Sequence, residues 1–159
     1  KTHGSDYTDG VYTFFGAVKS GRIYPVKLKV KEYTYSKKCL MTPTEKQFFD
    51  AIKNSVSDDY AVQPQINLAT IVKKQGDFKY QNELYRNVDF GVFDNDYNVV
   101  LLIEINDETH NDPKRKKRDA KVREISDIAQ IPLVTFHTKY GVNQEYIAKR
   151  IREYIKQPK

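Results

Sequence analysis

The N-terminal part of the chain alternates apolar and polar positions in the manner of a β-hairpin. The segments VYTFFGAV and IYPVKLKVKEY each predict a strand, and Gly21 between them supplies the turn. A helix follows, because Thr42 is a favourable N-cap, Pro43 fits the first helical position, and apolar residues then recur at helical spacing. Its predicted buried face comprises Phe48, Phe49, Ile52 and Val56.

Three strands are predicted in the middle of the chain. The segment YAVQPQINLATIV predicts a strand that Pro64 breaks, with a short helical turn after Asn67. The segments VDFGVFD and NVVLLIEI predict the next two strands, joined by the turn-forming sequence NDYN. The last of these strands is almost wholly apolar, as expected for a strand that is buried on both faces.

Two helices and one strand complete the chain. The earlier of these two helices is predicted to begin at Asp112, with Pro113 as its first residue, and to end at about Gln130. Its predicted inward stripe comprises Val122, Ile125, Ile128 and Ala129. The segment IPLVTFH predicts a buried strand. The last helix is capped by Asn143, and its predicted core-facing residues are Tyr146, Ile147, Ile151, Tyr154 and Ile155. This order of elements predicts an α/β fold with a mixed central sheet flanked by helices.

Composition narrows the function classes. The 159 residues carry 27 lysines and arginines against 21 acids, and the resulting charge of +6 favours polyanionic partners such as nucleic acid. Cys39 is the only cysteine, which excludes an internal disulfide and a cysteine-rich zinc site, so we expect a cytoplasmic location. The longest apolar run is strand-sized, so no membrane association is expected. The sequence contains neither an ATP-binding GxxxxGK[ST] loop nor a nucleophile elbow.

Two acids stand near the ends of neighbouring predicted strands. Asp89 is the second residue of its strand, and Glu104 lies near the end of the next one. If the strands pair as an antiparallel hairpin, Asp89 lies opposite position 103 or 104, and both carboxylates reach one edge of the sheet. Such acids either raise one another's pKa or share a cation, and oxygen ligands on rigid strands suit Mg²⁺ or Mn²⁺. The alternative is that both acids are solvated at strand ends.

A dense polar segment follows these strands. His110 lies in it, and its ordinary pKa near neutrality makes it either a general base or acid, or an unremarkable surface histidine. A basic run then occupies the first turns of the predicted helix, where the helix dipole disfavours cations. Bound phosphate would compensate these charges, and the alternatives are a solvated basic face or an ion pair between Arg118 and Asp119. The predicted nucleic-acid contacts are Lys114, Arg115, Lys117 and Arg118.

The segment from VDFGVFD to IPLVTF resembles the PD-(D/E)xK nuclease superfamily. Within it, the chain resembles a bacterial branch of unknown function that pairs a V-D-F strand with an I-E-L-D-D-x-x-H-like strand end. That branch opens with LTP-x-E before an aromatic helix, and CLMTPTEKQFFDAI matches this opening. The chain is also similar, more distantly, to the very-short-patch-repair endonucleases. The likeness runs from about Leu40 to about Ile155, and it implies a restriction-endonuclease-like domain at 37–159 behind an N-terminal hairpin extension at 1–36.

The resemblance also implies a metal-dependent site. Asp89 and Glu104 would be the metal-binding acids, with the carbonyl of Ile105 as a further ligand. The superfamily usually carries a lysine at the position of Asn106, and an asparagine can hydrogen-bond a water but supplies no charge and accepts no proton. The candidate replacements on the following helix are Lys121 and Lys117.

Further positions are candidates for supporting roles. Glu45 completes a T-x-x-E capping box, and in this superfamily a glutamate on the first helix often lines the metal site; both interpretations stand. Either Gln63 or Gln65 is a candidate for the same lining role, and the alternative is ordinary strand polarity. Asp107 is a candidate metal ligand or a partner that orients His110.

Three functions remain open at this point. The first is an enzyme, an endonuclease that uses Mg²⁺ or Mn²⁺ to hydrolyse DNA and acts as a single chain or as a homodimer. The second is a catalytically impaired nucleic-acid-binding module of the same fold within a larger protein or complex, because Asn106 replaces the usual lysine. The third is an interaction or structural domain whose acids are simply solvated.

Overall fold

The computed structural model describes residues 11–19, 22–29, 34–76, 82–107 and 113–155. Side chains are described within these ranges from residue 34 onward, except those of residues 113–115. The chain divides into two compact units, Lys1–Lys38 and Cys39–Lys159. The boundary expected from the sequence falls after residue 36.

The N-terminal unit contains the predicted hairpin. Strand β1 (Val11–Lys19) pairs antiparallel with β2 (Arg22–Lys29), and the register shifts between Phe15 and Val18. The turn assigned to Gly21 lies outside the described residues. The prediction of a hairpin is therefore confirmed for its two strands.

The second unit is built on a four-stranded sheet in the order β3-β4-β5-β6. Its strands are β3 (Ala61–Asn67), β4 (Asn87–Phe93), β5 (Val99–Asn106) and β6 (Leu133–His137). β4 pairs antiparallel with both β3 and β5, and β6 runs parallel to β5. The sheet is therefore mixed, as predicted.

Within the described ranges, four α-helices accompany the sheet: α1 (Pro43–Lys53), α2 (Leu68–Ile71), α3 (Pro113–Ile128) and α4 (Gln144–Arg152). Their starts agree with the capping signals, since Thr42, Asn67 and Asn143 each accept a hydrogen bond from the first turn of the helix that follows. The cap predicted at Asp112 lies outside the described residues. Within the described ranges, no helix combines the length and apolar character needed to cross a membrane.

The helices cover both faces of the sheet, and β5 contributes to both cores. Leu101, Ile103 and Ile105 belong to the buried cluster formed with α1 and α4, whereas Leu102 belongs to the cluster formed with α3. Because side chains alternate along a strand, Glu104 lies on the same face as Leu102, toward α3. The predicted α/β architecture, a mixed sheet flanked by helices, is confirmed, and it directs this acid to the α3 side.

Three residues predicted to face the core are exposed. Ile128 is 76% exposed, because it follows Val122 by six residues and falls off the buried stripe, which Ser126 continues instead. Tyr146 and Tyr154 flank the buried stripe of α4 and are 53% and 37% exposed. These positions were predicted wrongly because an amphipathic helix buries only one stripe, which in α4 is Ile147 and Ile151; Ile155 is buried beyond the end of this helix.

Pro64 does not break its strand, which corrects the sequence-based expectation. It pairs opposite Phe90 within a continuous β3, because this strand lies at the edge of the sheet and an edge position needs no second ladder bond. The irregularity falls one residue later, at Gln65, whose φ of 56° lies in the left-handed region.

Candidate functional site

A cleft of about 630 Å³ opens where β4 begins and β5 ends. Most of its lining side chains are polar or charged, and five of its residues are acids or arginines from β4, β5 and α3. The residues that line this acid cleft are Glu45, Gln65, Asp89, Glu104, Ile105, Asn106, Arg118, Asp119, Arg123 and Thr135. Six elements of the fold thus contribute to one cavity, as is usual for a ligand site.

The pairing of β4 with β5 brings the two strand acids together. Phe90 and Ile103 form the last pair of the β4–β5 ladder, and the acids next to them, Asp89 and Glu104, both line the cleft. Asp89 Oδ2 also accepts a hydrogen bond of 2.7 Å from the backbone N–H of Ile105. This charge-assisted bond fixes one oxygen of the carboxylate against the end of β5.

Glu104 carries the strongest electrostatic perturbation at the site. Its partial burial, followed by repulsion from Asp119 and then from Asp89, raises its pKa from 4.5 to about 7. Arg118 and Arg123 oppose this rise by stabilising the charged form. A carboxylate held in this way gains more than a solvated one from a cation that neutralises the cluster, so the cleft favours positively charged ligands.

Two arginines from α3 line the same cleft. Arg118 Nη2 donates to the backbone carbonyl of Asn87 at 3.2 Å, and Arg123 Nη2 donates to Thr135 Oγ1 at the same distance. Both acceptors are neutral, so these bonds orient the guanidinium groups without cancelling their charge. Guanidinium groups bind phosphate through paired N–H donors, and the cleft therefore combines acids for a cation with cations for an anion.

Glu45 and Gln65 line the cleft from α1 and β3. Glu45 also forms the predicted capping box, since its Oε2 accepts from Thr42 N–H at 2.6 Å and its own N–H donates to Thr42 Oγ1 at 3.2 Å. Both interpretations of this glutamate are thus compatible with its position. The left-handed backbone of Gln65 is costly for a residue with a Cβ, and such strain is most often found at functional sites.

The donor set of the cleft fits a hard divalent cation. Among the residues that the structure describes, no group of three or more His, Cys, Asp or Glu side chains is arranged to hold a metal ion. Mg²⁺, however, keeps several of its waters and needs only one or two carboxylates from the protein. The cleft offers two such carboxylates, those of Asp89 and Glu104, and the backbone of Ile105 lines the same wall.

Lys121 does not lie in the cleft, which corrects the expectation that it replaces the missing lysine. Its ammonium donates to Glu124 Oε1 at 2.8 Å and lies 3.8 Å from Glu83 Oε2. The physical reason is helical phase: two residues turn a helix by about 200°, so a lysine two positions after Asp119 points away from the cleft.

The remaining candidates are not brought to the cleft or are not described. Asp107 and Lys117 are not among its lining residues, although both belong to the described part of the chain. His110 and the side chains of Lys114 and Arg115 lie outside the described residues. Their predicted roles stay predictions.

Three residues that line the cleft were not among the site residues predicted from the sequence: Asp119, Arg123 and Thr135. Arg123 follows Asp119 by four residues, so helical spacing alone could have placed both on one face. Thr135 pairs with Glu104 across the parallel β5–β6 ladder. That neighbour could have been found only by first predicting which strands pair.

Comparison with known proteins identifies the family of this chain. The family model described as "Protein of unknown function (DUF2726)" matches residues 37–157, and the chain belongs to this family. An uncharacterized protein of Haemophilus influenzae is similar, with 25% identity over 128 residues, which cover 76% of this chain and 66% of that protein. The chain thus spans slightly less than two thirds of that relative's length. No solved structure matches this chain.

Proposed function

We propose that this member of the DUF2726 family is a divalent-metal-dependent nuclease that hydrolyses phosphodiester bonds in DNA, with Mg²⁺ or Mn²⁺ as its metal. The observation that carries the proposal is the convergence of Asp89 and Glu104, from paired strands, in a cleft that also holds two arginines. Similarity to the PD-(D/E)xK superfamily, whose acids occupy matching positions in the sequence, supports the same assignment and a restriction-endonuclease-like fold.

The charges of the cleft suit a phosphodiester bound through a cation. Its acids would repel a bare phosphate, whereas a metal held by Asp89 and Glu104 converts that repulsion into attraction. Arg118 and Arg123 supply donors for the remaining phosphate oxygens. They also offer the positive charge that Asn106 cannot provide, so the cleft does not depend on a lysine at that position.

The chain's own residues would share the work of hydrolysis. Asp89 is held by the N–H of Ile105 at the wall of the cleft, where its carboxylate would contribute to binding the metal. Asn106 lines the cleft beside Glu104 and can orient the attacking water through its side-chain amide. Arg118 and Arg123 would stabilise the charge that develops on the phosphoryl oxygens. The metal, when bound, supplies a Lewis acid and lowers the pKa of the attacking water.

A second candidate is a nucleic-acid-binding module without catalytic activity. It is favoured by one observation, the neutral amide of Asn106 at the position where the superfamily usually has lysine. In that case the cleft and the charge of +6 would still hold DNA, and the affinity would fall as salt rises. A homodimer that sets two clefts on one duplex belongs to the first candidate, and light scattering of the purified chain with and without duplex tests it.

The test compares cleavage by matched variants. Supercoiled plasmid, linear duplex and an RNA of the same sequence are incubated with the purified chain and millimolar Mg²⁺ or Mn²⁺, or with a chelator. We expect nicked and linear DNA only when metal is present, and a loss of about 100-fold or more in Asp89→Asn and Glu104→Gln. Glu124→Gln, an exposed glutamate on α3, is the control and should cleave like the wild type.

The choice of substitution at position 89 matters. Asparagine keeps an oxygen that can accept from the N–H of Ile105, so Asp89→Asn removes the charge while it retains that hydrogen bond. Alanine would leave the N–H unsatisfied and cost roughly 1–3 kcal/mol of stability, which would confuse loss of fold with loss of function. Cleavage that survives both substitutions would overturn the proposal, and salt-sensitive binding without any cleavage would favour the second candidate.

A further inference from the structure

A second cavity, of about 460 Å³, opens beside the acid cleft and has a different chemistry. Aromatic rings dominate its lining, whereas the acid cleft is lined by charges. We call this cavity the aromatic groove; the residues used here are Phe48, Thr135, Phe136, His137, Tyr140 and Tyr146. Its volume falls within the range of roughly 300–1,000 Å³ that is usual for sites that bind small molecules.

The groove has a buried floor and exposed walls. Phe48 and Phe136 are 2% and 3% exposed, and their rings stack with centroids 6.3 Å apart. Tyr146 meets Phe136 edge-on at 6.1 Å and is 53% exposed, while Tyr140 is 74% exposed. Tyr146 therefore offers exposed ring surface to a flat ligand, whereas Lys139 already lies over one face of the Tyr140 ring.

Charge near the groove favours an anionic strand over a neutral ligand. Lys139 Nζ lies 5.0 Å from the ring centroid of Tyr140, so a cation accompanies the exposed ring. Asn143 caps α4 through the N–H of Tyr146, which fixes the backbone beneath that ring. Aromatic faces with neighbouring cations are the combination that binds single-stranded nucleic acid.

The groove and the acid cleft share one lining residue. Thr135 lines both cavities, and His137 follows it by two residues on the same strand. A strand rises by about 3.3 Å per residue, so these two positions lie roughly 7 Å apart, which is about the reach of one nucleotide. A phosphate bound near Arg123 in the cleft would therefore present its neighbouring base to the groove.

We propose that the aromatic groove binds one unpaired nucleobase of the strand whose phosphate occupies the acid cleft. The proposal rests on the nuclease function argued above and specifies its substrate as single-stranded DNA, or duplex DNA with an unpaired nucleotide. A base inside a duplex has both faces covered by its neighbours, so it can enter the groove only after it leaves the stack. The tyrosine rings of the walls then replace the stacking that the base has lost.

The test measures binding with Ca²⁺ in place of Mg²⁺, because a cation in the cleft removes the repulsion between its acids and a phosphate, and a gel of the recovered oligonucleotide shows that it stays uncleaved. Fluorescence anisotropy reports the affinity of a fluorescein-labelled single-stranded oligodeoxynucleotide and of the same sequence as a blunt duplex. We expect the wild type to prefer the single strand. Tyr146→Ala and Tyr140→Ala should each weaken single-strand binding by about 5- to 100-fold, while duplex binding changes by less than about two-fold. Tyr146→Phe keeps the ring and should bind like the wild type.

Two controls separate stacking from loss of fold. Tyr97 is as exposed as Tyr140, at 74%, and lies in the turn between β4 and β5, at the opposite end of these strands from the cleft. Tyr97→Ala should therefore leave binding unchanged. Thermal melting of each variant shows whether it folds, and the exposed Tyr140 provides a usable variant if loss of Tyr146 uncovers Phe136 and destabilises the domain.

The outcomes distinguish the two proposals. If the tyrosine variants bind single strands as the wild type does, while metal-dependent cleavage still requires Asp89, the groove assignment fails and the nuclease assignment stands. Equal losses for single strand and duplex would also overturn it, as would a Tyr146→Phe variant as weak as Tyr146→Ala. If the wild type neither binds nor cleaves DNA, both proposals fall.

Discussion

Replacement of Glu104 by glutamine should change how the stability of the protein depends on pH. The pKa of this carboxyl is raised from 4.5 to about 7 in the folded protein, so the folded state holds a proton that the unfolded state releases between these values. The stabilisation of the fold by the protonated carboxyl is therefore fully present below pH 4.5 and is lost as pH rises through about 7. Glutamine is neutral throughout and lacks this dependence.

The magnitude can be bounded from the two pKa values. A difference of about 2.5 corresponds to a ceiling of roughly 3 kcal/mol, because each pKa unit is worth about 1.36 kcal/mol. Partial solvent exposure of Glu104 reduces this ceiling, so we expect about 1–3 kcal/mol. Between pH 5 and pH 8, the free energy of unfolding of Glu104→Gln should therefore rise by that amount relative to the wild type.

The assay is urea unfolding followed by far-ultraviolet circular dichroism at pH 5 and pH 8, with chelator present. The other titratable groups are common to both proteins, so their contributions cancel in the difference. Glu124→Gln is the matched control, since that glutamate is exposed on the same helix as Asp119, and its pH dependence should follow the wild type within about 0.5 kcal/mol. Parallel pH profiles for the wild type and Glu104→Gln would refute the reasoning.

Two further predictions concern the backbone around the cleft. The left-handed φ of 56° at Gln65 favours glycine, so the free energy of unfolding of Gln65→Gly should exceed that of Gln65→Ala by about 1 kcal/mol. Thermal melting of the two variants checks this. A glycine variant that is no more stable than the alanine variant would contradict the strain at this position. Thr42→Ala removes the side-chain acceptor of the capping box and should lower the free energy of unfolding by about 1 kcal/mol, as measured by urea titration. Thr42→Ser keeps the hydroxyl and should cost almost nothing. Equal losses for the two variants would count against a stabilising role of this hydrogen bond.

Local signals in the sequence were enough to predict the pair of acids. Turn residues separate β4 from β5, and an antiparallel hairpin leaves little freedom in register once its turn is short. The sequence alone therefore predicts that Asp89 and Glu104 lie at one edge of the sheet. The caps of α1 and α4 are local in the same sense, and the predictions of Thr42 and Asn143 as caps are confirmed, as is the helical turn after Asn67.

Contacts between distant segments could not be predicted in this way. Thr135 reaches the cleft only because β6 pairs parallel to β5, and parallel pairing is set by packing of the intervening α3 rather than by a turn. The rotation of α3 decides which of its charges enter the cleft, and the apolar stripe that fixes this rotation was itself misread at Ile128. Lys121 and Lys117 were candidates only by the resemblance to the superfamily, and the structure brings Arg123 of this helix to the cleft instead.

The energetics of the cleft argue for a bound ligand more strongly than its shape does. Glu104 is half-buried among other acids, and Gln65 holds an unfavourable backbone conformation beside it. Both features oppose folding, and solvated strand ends would give no reason to retain them. If the acids served no ligand, Glu104→Gln would gain stability at pH 8 without losing any activity on DNA. A divalent cation between the carboxylates predicts opposite signs for the two measurements: the variant should be more stable than the metal-free wild type at pH 8 and inactive on DNA.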